Sequence, residues 1–306
     1  MAPQKRLTAV SRTQGNNRAI KDGTVWPLGY ELDFVEVPVL VQAFRRMVRG
    51  NEFDVCEMAA TTYLAAKAYG KPFTAIPVFL VRGFHHGAIL RSTRHDIEHP
   101  KQLEGRAVGV NRGYTVTTGV WARGVLRDEY GVDLDKITWV LSGDEHVAEY
   151  QPPPNVVPVP ERRTIPEMVA TGELTAAIGV ERSGELVPLI PDPAEAGFAS
   201  LRRTGIFPIN HLVVVKDELL AAHPDLAPAL FEAFAESKRR YLAGPEVEPL
   251  HARVREITGG DPLPYGIEPN RHVLSALIGH ALDQHILEHP PVIEELFARG
   301  TWDLAG

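Results

Sequence analysis

The sequence contains a single cysteine, Cys56, among 306 residues. One cysteine excludes an internal disulfide and any metal site built from several thiolates. The chain also lacks an apolar run of roughly 20 residues, the length that a membrane-spanning helix needs, so we expect no membrane partner. Its first residues, MAPQKRLTAV, contain no apolar core long enough for a signal peptide. This pattern favours a cytoplasmic protein.

Basic residues form no block longer than a few positions, and they are interspersed with acidic ones. The 32 Lys and Arg residues are outnumbered by 39 Asp and Glu residues, which gives a net charge of -7. This distribution argues against a nucleic-acid partner. The hydrophobic share of 44% and the charged share of 23% are ordinary for a globular protein, and the length fits one large or two medium domains.

Strand-like apolar segments alternate with helical patterns, which predicts an α/β fold with mostly parallel sheets. The composition shifts near residue 92 and shifts back near 205, so we predict one lobe at 1–91 plus 206–306 and a second at 92–205. The predicted strands are 7–10, 30–37, 53–58, 74–80, 106–110, 137–141, 176–180 and 212–216. The predicted helices are 39–48, 59–69, 115–130, 164–170, 226–242, 271–287 and 291–298.

Two segments combine an apolar strand with histidine at its edge. In IPVFLVRGFHHGAI (76–89), the strand runs into Arg82 and the pair His85–His86, and in GIFPINHLVVV (205–215), His211 precedes a strand. A fixed cation and imidazoles at a strand end can bind an anion and move a proton near neutral pH. Because the two segments lie far apart in sequence, they predict a ligand cleft between the two lobes.

Each of these residues also has a structural interpretation. Arg82 would bind a carboxylate through two hydrogen bonds, or form an ion pair at a hinge. Adjacent residues in a strand point to opposite faces, so only one of His85 and His86 would face a ligand. His211 would donate a proton, bind a metal, or lie buried. A metal site from these histidines with Glu57 or Glu181 stays open, although the chain has no HExxH spacing.

Polar residues also surround the start of the predicted helix 115–130. Free N–H groups at a helix start suit a carboxylate ligand, although ordinary N-capping would use the same residues. Glu57 lies on a strand-to-helix turn and would act as a base for a phenol, or merely favour the helix dipole. Cys56 is interpreted as a small buried residue. The candidate ligand-binding residues at this helix start are Asn111, Tyr114, Thr115, Thr117 and Thr118.

Five stretches carry a family resemblance: FDVCEMAATTYLAAKAYGKPFTAIPVF, RGFHHGAI, LEGRAVGVNRGYTVTTGVWARGVLRDEYGV, TGIFPINH and DPLPYGIEPNR. Together they resemble the 4,5-dihydroxyphthalate decarboxylase family, over about residues 17–287. That family is similar to type II periplasmic solute-binding proteins, so the resemblance implies a two-lobed α/β fold with a ligand cleft between the lobes. The family commonly has an Arg-His pair where this chain has His85–His86, and often a Met where it has Asn210.

The resemblance implies decarboxylation of a hydroxylated aromatic acid, with 4,5-dihydroxyphthalate giving protocatechuate and CO2. It favours His86 over His85, although Gly83 would reverse this order if it formed a bulge. The expected partner is a small aromatic carboxylate, no organic cofactor is required, and a divalent metal and a homo-oligomer stay open. The implied catalytic residues are His86, His211, Glu57 and His85, and Arg82 and Arg18 would bind substrate with the helix-start residues.

The alternative is a non-catalytic solute-binding protein that carries an anionic or aromatic ligand to an ABC transporter. The same cation and helix start would then hold the ligand without turnover. The absence of a leader and of a lipid-anchor cysteine near the N-terminus argues against this alternative.

Overall fold

The computed structural model describes residues 5–306, and its contacts divide the chain into two units. The first comprises Met1–Arg82, Ile209–Ile278 and His289–Gly306, of which residues 1–4 lie outside the described part. The second comprises Gly83–Pro208 and Gly279–Glu288. The predicted boundaries differ from this division at residues 83–91, 206–208 and 279–288. The strand at Ile89–Ser92 explains the first difference, because it pairs within the sheet of the second unit.

Each unit is built around a β-sheet. Within residues 5–306 the strands are β1 (Lys5–Val10), β2 (Tyr30–Phe34), β3 (Val55–Ala59), β4 (Phe73–Arg82), β5 (Ile89–Ser92), β6 (Ala107–Val110), β7 (Thr138–Leu141), β8 (Val156–Pro158), β9 (Ala176–Ile178), β10 (Leu186–Pro188) and β11 (Ile209–Lys216).

Helices pack on these strands. In the same residues they are α1 (Arg18–Lys21), α2 (Leu40–Gly50), α3 (Ala60–Ala68), α4 (Thr117–Tyr130), α5 (Ile165–Ala170), α6 (Pro193–Thr204), α7 (Asp217–Ala222), α8 (Leu226–Ala243), α9 (Pro249–Thr258) and α10 (Arg271–Asp283). None of the helices described over residues 5–306 is both long and apolar enough to cross a membrane.

Each unit has one mixed sheet over the described residues, which confirms the α/β class, and most strands of each sheet run in the same direction, as predicted. The first sheet has the order β2-β1-β3-β11-β4, and β11 runs antiparallel to both of its neighbours. The second has the order β10-β5-β9-β6-β7-β8, with β5 antiparallel to β9 and β10. β11 and β5 are the exceptions, since each runs opposite to the strands beside it.

The core of the first unit forms where α8 covers its sheet. Leu230, Phe231 and Phe234 recur on one face of α8 and pack in a cluster with Val78 and Val213 of the strands. Burying an aliphatic or aromatic side chain of this size contributes about 1.5–3 kcal/mol. This packing fixes β4, which ends at Arg82, and β11, which contains His211 near its start.

A smaller cluster holds α5 against the sheet of the second unit, through Ile165, Met168 and Val169. The helix begins with a capping box, in which the Thr164 hydroxyl accepts from the Glu167 N–H and the Glu167 carboxylate accepts from the Thr164 N–H at 2.8 Å. Both bonds satisfy backbone groups that a helix start leaves unpaired.

The sequence patterns predicted one false helix and missed others, among them α6 and α9. The predicted helix 291–298 is wrong: only a 3-10 turn at Glu294–Leu296 forms, and the Ala298 N–H donates to Ala75 O at 2.8 Å instead. Helices α6 and α9 were not predicted, although each begins with proline in its first turn, a typical helix start.

Candidate active site

Strands β3 and β11 bring Glu57 and His211 together in the first unit. β3 is buried along its whole length, and in the antiparallel pairing His211 lies opposite Ala59 while Val213 lies opposite Glu57. The Nδ1 atom of His211 is 2.6 Å from Oε1 of Glu57. The two residues are 154 positions apart in the sequence, so only the sheet register creates this pair.

The pair has one defined orientation. An ionised carboxylate can only accept hydrogen bonds, so His211 donates from Nδ1 and, in its neutral form, carries its lone pair on Nε2. The other oxygen of Glu57, Oε2, accepts from the Arg12 N–H at 2.9 Å. The Glu57 side chain is fully buried, whereas the His211 side chain is 20% exposed. The exposed partner is therefore the imidazole, with a buried carboxylate behind it.

The Phe44 ring sets the plane of the His211 imidazole. It meets His211 edge to face, with ring centroids 5.2 Å apart and planes at 86°. Such a contact adds about 0.5–1.5 kcal/mol to the burial of the rings. Neither Phe44 nor the Arg12 N–H was among the sequence candidates, because α2 and the segment after β1 carry no chemical motif.

Arg82 takes part in a buried polar network at the end of β4. Its Nη2 donates to the Pro264 carbonyl at 3.1 Å and to the side-chain oxygen of Asn270. Asn270 in turn donates to the carbonyls of Pro264 and Gly266, at 2.9 and 2.7 Å. Burial lowers the pKa of Arg82 to about 10. These contacts give the guanidinium a structural role within the first unit, and its predicted role as a carboxylate ligand stays a prediction.

Tyr265 belongs to the same buried region. Its hydroxyl accepts from Asn16 Nδ2 at 3.2 Å, and Lys238 Nζ lies 4.6 Å from its ring centroid. Asn16 also donates to the Leu80 carbonyl of β4 at 3.0 Å. The DPLPYGIEPNR stretch thus holds the end of β4 in place.

His85 and His86 lie beyond the end of β4, in the second unit. His86 begins a 3-10 turn, His86–Ala88, so the alternation of faces expected for a strand does not apply and both rings are buried. Nε2 of His86 is 3.1 Å from Oε1 of Glu129 on α4. Because that oxygen can only accept, Nε2 carries the proton.

Glu129 gathers three donors. Besides His86, the Ser200 hydroxyl donates to Oε1 at 2.7 Å and Arg203 pairs with Oε2 at 3.1 Å. Burial by itself raises the pKa of Glu129, but the hydrogen bonds from His86, Ser200 and Arg203 outweigh it and hold the pKa below its ordinary value. Sequence reasoning missed Glu129 and its other two partners, since nothing in their spacing connects them to a histidine on another element.

The depressed pKa of Glu129 makes a pH-dependent prediction. Glu129→Gln should lower the free energy of unfolding by about 2 kcal/mol at pH 7, through lost charge-assisted hydrogen bonds. Because the native pKa lies below the ordinary 4.5, this stabilisation is complete above pH 4.5 and is lost as the pH falls through the native pKa. Urea unfolding between pH 3 and 7 measures the difference from wild type, which should narrow toward low pH. Glu98→Gln, at an exposed position of the same unit, is the control; an equal loss at every pH would contradict the prediction.

The predicted anion-binding start of α4 already binds a carboxylate of this chain. Oε2 of Glu145 accepts from the Thr115 hydroxyl at 2.6 Å and from the Thr115 N–H at 3.2 Å, and Oε1 accepts from the Tyr114 N–H. The Tyr114 ring is buried, with the Arg123 guanidinium 3.8 Å from its centroid. The N–H groups proposed for a ligand are therefore engaged internally.

The other predicted binding residues lie in varied surroundings. Asn111 donates to the Gly179 carbonyl at 2.8 Å, Thr117 is buried at the start of α4, and Thr118 is half-buried beside it. Arg18 lies on the surface of the first unit, in an exposed ion pair with Glu246 at 2.7 Å. An exposed pair of this kind contributes little to stability.

Within residues 5–306, neither Cys56 nor a cluster of metal-ligating side chains forms a candidate site. Cys56 is fully buried, and burial raises the pKa of its thiol well above the ordinary value. In the described part of the chain, no group of three or more His, Cys, Asp or Glu residues is arranged to hold a metal ion. Glu181, considered as a ligand with the histidines, is exposed.

Solved structures share the fold at low sequence identity. The periplasmic aliphatic sulphonate binding protein of Escherichia coli aligns with a TM-score of 0.54 at 12% identity, covering 98% of this chain and 99% of that one. A desulfurization enzyme aligns with a TM-score of 0.51 at 13% identity, covering 96% of each chain. The chain therefore has the periplasmic-binding-protein-like fold, on which both a binding protein and an enzyme are built.

Sequence comparison identifies the family within this fold. No protein-family model matches the chain. A 4,5-dihydroxyphthalate decarboxylase of Comamonas testosteroni is 31% identical over 291 residues, covering 85% of this chain and 86% of the relative. One of Pseudomonas putida is 32% identical over 174 residues, covering 53% of this chain and 65% of the relative. This chain belongs to the 4,5-dihydroxyphthalate decarboxylase family.

Proposed function

We propose that this protein is a carboxy-lyase that removes CO2 from a hydroxylated aromatic acid, with 4,5-dihydroxyphthalate as the first substrate to test. The observation that carries the proposal is the Glu57–His211 pair, in which a buried carboxylate orients a partly exposed imidazole. The relatives named as decarboxylases support the reaction class. The solute-binding alternative has no observation of comparable weight.

The chemistry requires a proton donor. Direct loss of CO2 from an aromatic ring leaves an unstable aryl carbanion, so the ring carbon that bears the carboxylate is protonated first. A hydroxyl para to that carbon supplies the electron pair when it loses its proton. The C–C bond to the carboxylate then breaks, its electrons restore the aromatic ring, and CO2 leaves. The phenolate oxygen then takes up a proton again, so that one proton is consumed overall, and no oxidant or reductant is needed.

His211 fits the role of this acid. Protonated on Nε2, it donates to the ring carbon, while Glu57 stabilises the imidazolium through Nδ1. Glu57 itself, predicted as a base for the phenol, is fully buried and already accepts from His211 and the Arg12 N–H. Its role under this proposal is therefore to position and charge-balance His211. The phenol proton passes to solvent or to another group.

The proposal makes a direct prediction. Purified protein incubated with 4,5-dihydroxyphthalate at neutral pH should release CO2 and form protocatechuate in equal amounts, measured by gas analysis and chromatography. A parallel incubation with a chelator decides whether a divalent metal takes part, since metal-dependent turnover would fall in that arm alone. Saturable thermal stabilisation without turnover would overturn the proposal in favour of a binding protein.

A further inference from the structure

The second unit contains a cavity of about 130 Å³ that the proposed reaction does not use. All of its lining residues come from Gly83–Pro208 and Gly279–Glu288, so it lies wholly within this unit. For comparison, a cavity of roughly 150 Å³ is enough to hold one benzene ring. The volume is slightly below that figure, so the cavity has room for at most one six-membered ring.

One part of the cavity wall is apolar and aromatic. It includes Phe84, Trp121, Val125, Ile206 and Pro208. The Phe84 ring is held by Phe198 and Phe207, each with its ring centroid 5.2 Å away. An aromatic wall that is packed from behind provides a preformed face for another ring.

The remaining wall carries two imidazoles with an unsatisfied atom. Nδ1 of His86 and Nδ1 of His280 are buried and have no hydrogen-bond partner among residues 5–306. The nearest carboxylate to Nδ1 of His280, Oδ2 of Asp128, is 3.9 Å away, too far for a hydrogen bond. Buried polar atoms in folded proteins are normally paired, so unpaired ones in a cavity wall indicate a polar ligand.

Whether Nδ1 of His86 donates or accepts a hydrogen bond determines whether a hydroxyl or a carboxylate ligand fits the cavity. Because Nε2 donates to Glu129, Nδ1 is an acceptor whenever the ring carries a single proton, and it then requires an O–H or N–H donor. A carboxylate cannot donate, and the cavity wall carries two carboxylates, Glu129 and Asp128, against one guanidinium, Arg203, which is already paired with Glu129. A hydroxyl group satisfies the acceptor without adding negative charge.

His280 offers a second contact of the same kind. Burial lowers the pKa of His280, so its ring is neutral near pH 7 and presents one donor and one acceptor. Its ring meets Trp121 edge to face, with centroids 5.0 Å apart. Gly124 provides the room, since a Cβ there would come within 2.6 Å of the His280 ring.

The geometry points to a binding site in this cavity for one neutral hydroxylated aromatic ring, of the phenol or catechol class, with His86 and His280 as its hydrogen-bonding residues. The inference goes beyond the proposed reaction, because it concerns binding of a ring and not its turnover. His280 was not a candidate from the sequence.

Calorimetric titration with catechol and with benzoate tests the site. Wild-type protein should bind catechol saturably at one site, at least about tenfold more tightly than benzoate, because of the like-charge repulsion. Val125→Phe, which fills the cavity, and His280→Asn, which shortens the side chain, should each weaken catechol binding by about tenfold or more. Val292→Phe makes the same exchange at an exposed position of the first unit and should leave binding unchanged.

Three results would overturn the inference: no saturable catechol binding by folded wild-type protein, tighter binding of benzoate, or equal catechol affinity in the folded Val125→Phe variant. If His280→Asn fails to fold, Val125→Phe alone still decides, because it keeps every polar group. Failure of the decarboxylase assay with catechol binding intact would remove the proposed reaction and leave this site standing.

Discussion

His211→Ala should lower kcat for the decarboxylation of 4,5-dihydroxyphthalate by about 10²- to 10⁴-fold, the usual contribution of a positioned general acid. KM should change little, because the imidazole acts on the transition state and is not needed to hold the ground state. Steady-state kinetics on product formation measure both parameters. Added imidazole should restore part of the lost rate, since it can enter the space that the truncated side chain leaves.

Companion variants separate acid catalysis from structural damage. Glu57→Gln should also lower kcat with KM unchanged, but imidazole should not rescue it, because the ring of His211 is still present and is wrongly oriented. His289→Ala, at an exposed histidine, should behave as wild type. Turnover within twofold of wild type in His211→Ala would remove this residue from the mechanism.

Asn270→Leu should lower the free energy of unfolding by about 3 kcal/mol or more, the largest effect on stability that we expect. Asn270 is fully buried and satisfies two carbonyls as well as the Arg82 guanidinium. Leucine has nearly the same shape but removes the hydrogen bonds from Asn270 to both carbonyls and its bond to Arg82, which keeps only its other contacts. Urea unfolding, followed by circular dichroism, gives the change.

A double-mutant cycle with Arg82→Met shows whether the cost comes from an unpaired buried cation. The variant carrying both substitutions should be more stable than the sum of the two single losses allows, because removing both partners leaves fewer unsatisfied groups. Additive losses would contradict this account. If Arg82 instead served mainly to bind substrate, Arg82→Met would raise KM and leave stability nearly unchanged.

The sequence predicted the elements that local patterns determine. The strand 74–80 and the helix 226–242 closely match β4 and α8, because an apolar run ended by glycine and an apolar face with helical spacing are both local signals. The false helix 291–298 has similar spacing, yet prolines at its start and the bond from Ala298 to Ala75 favour an irregular course. Long-range pairing overrode local preference there.

The candidate site residues also differ in how far local sequence patterns identify them. His86 and His211 were predicted from strand ends, and the family resemblance supported them. The pairing of each histidine with an acidic partner could not be predicted in this way. Glu57 was named, but its hydrogen bond to His211 depends on the register of β3 against β11. Glu129 lies 43 residues from His86 on a helix, where a glutamate is an ordinary surface residue, so no sequence pattern identifies it.

The Glu145 carboxylate on the Tyr114 and Thr115 N–H groups has a consequence for any free anion. A carboxylate on the same chain competes at an effective concentration in about the millimolar range or above, whereas a dissolved metabolite competes only at its own concentration. A micromolar anion of similar intrinsic affinity therefore cannot displace it. Intramolecular competition therefore keeps weakly binding anions from the N–H groups before α4. An outside ligand binds there only when the segment carrying Glu145 moves away.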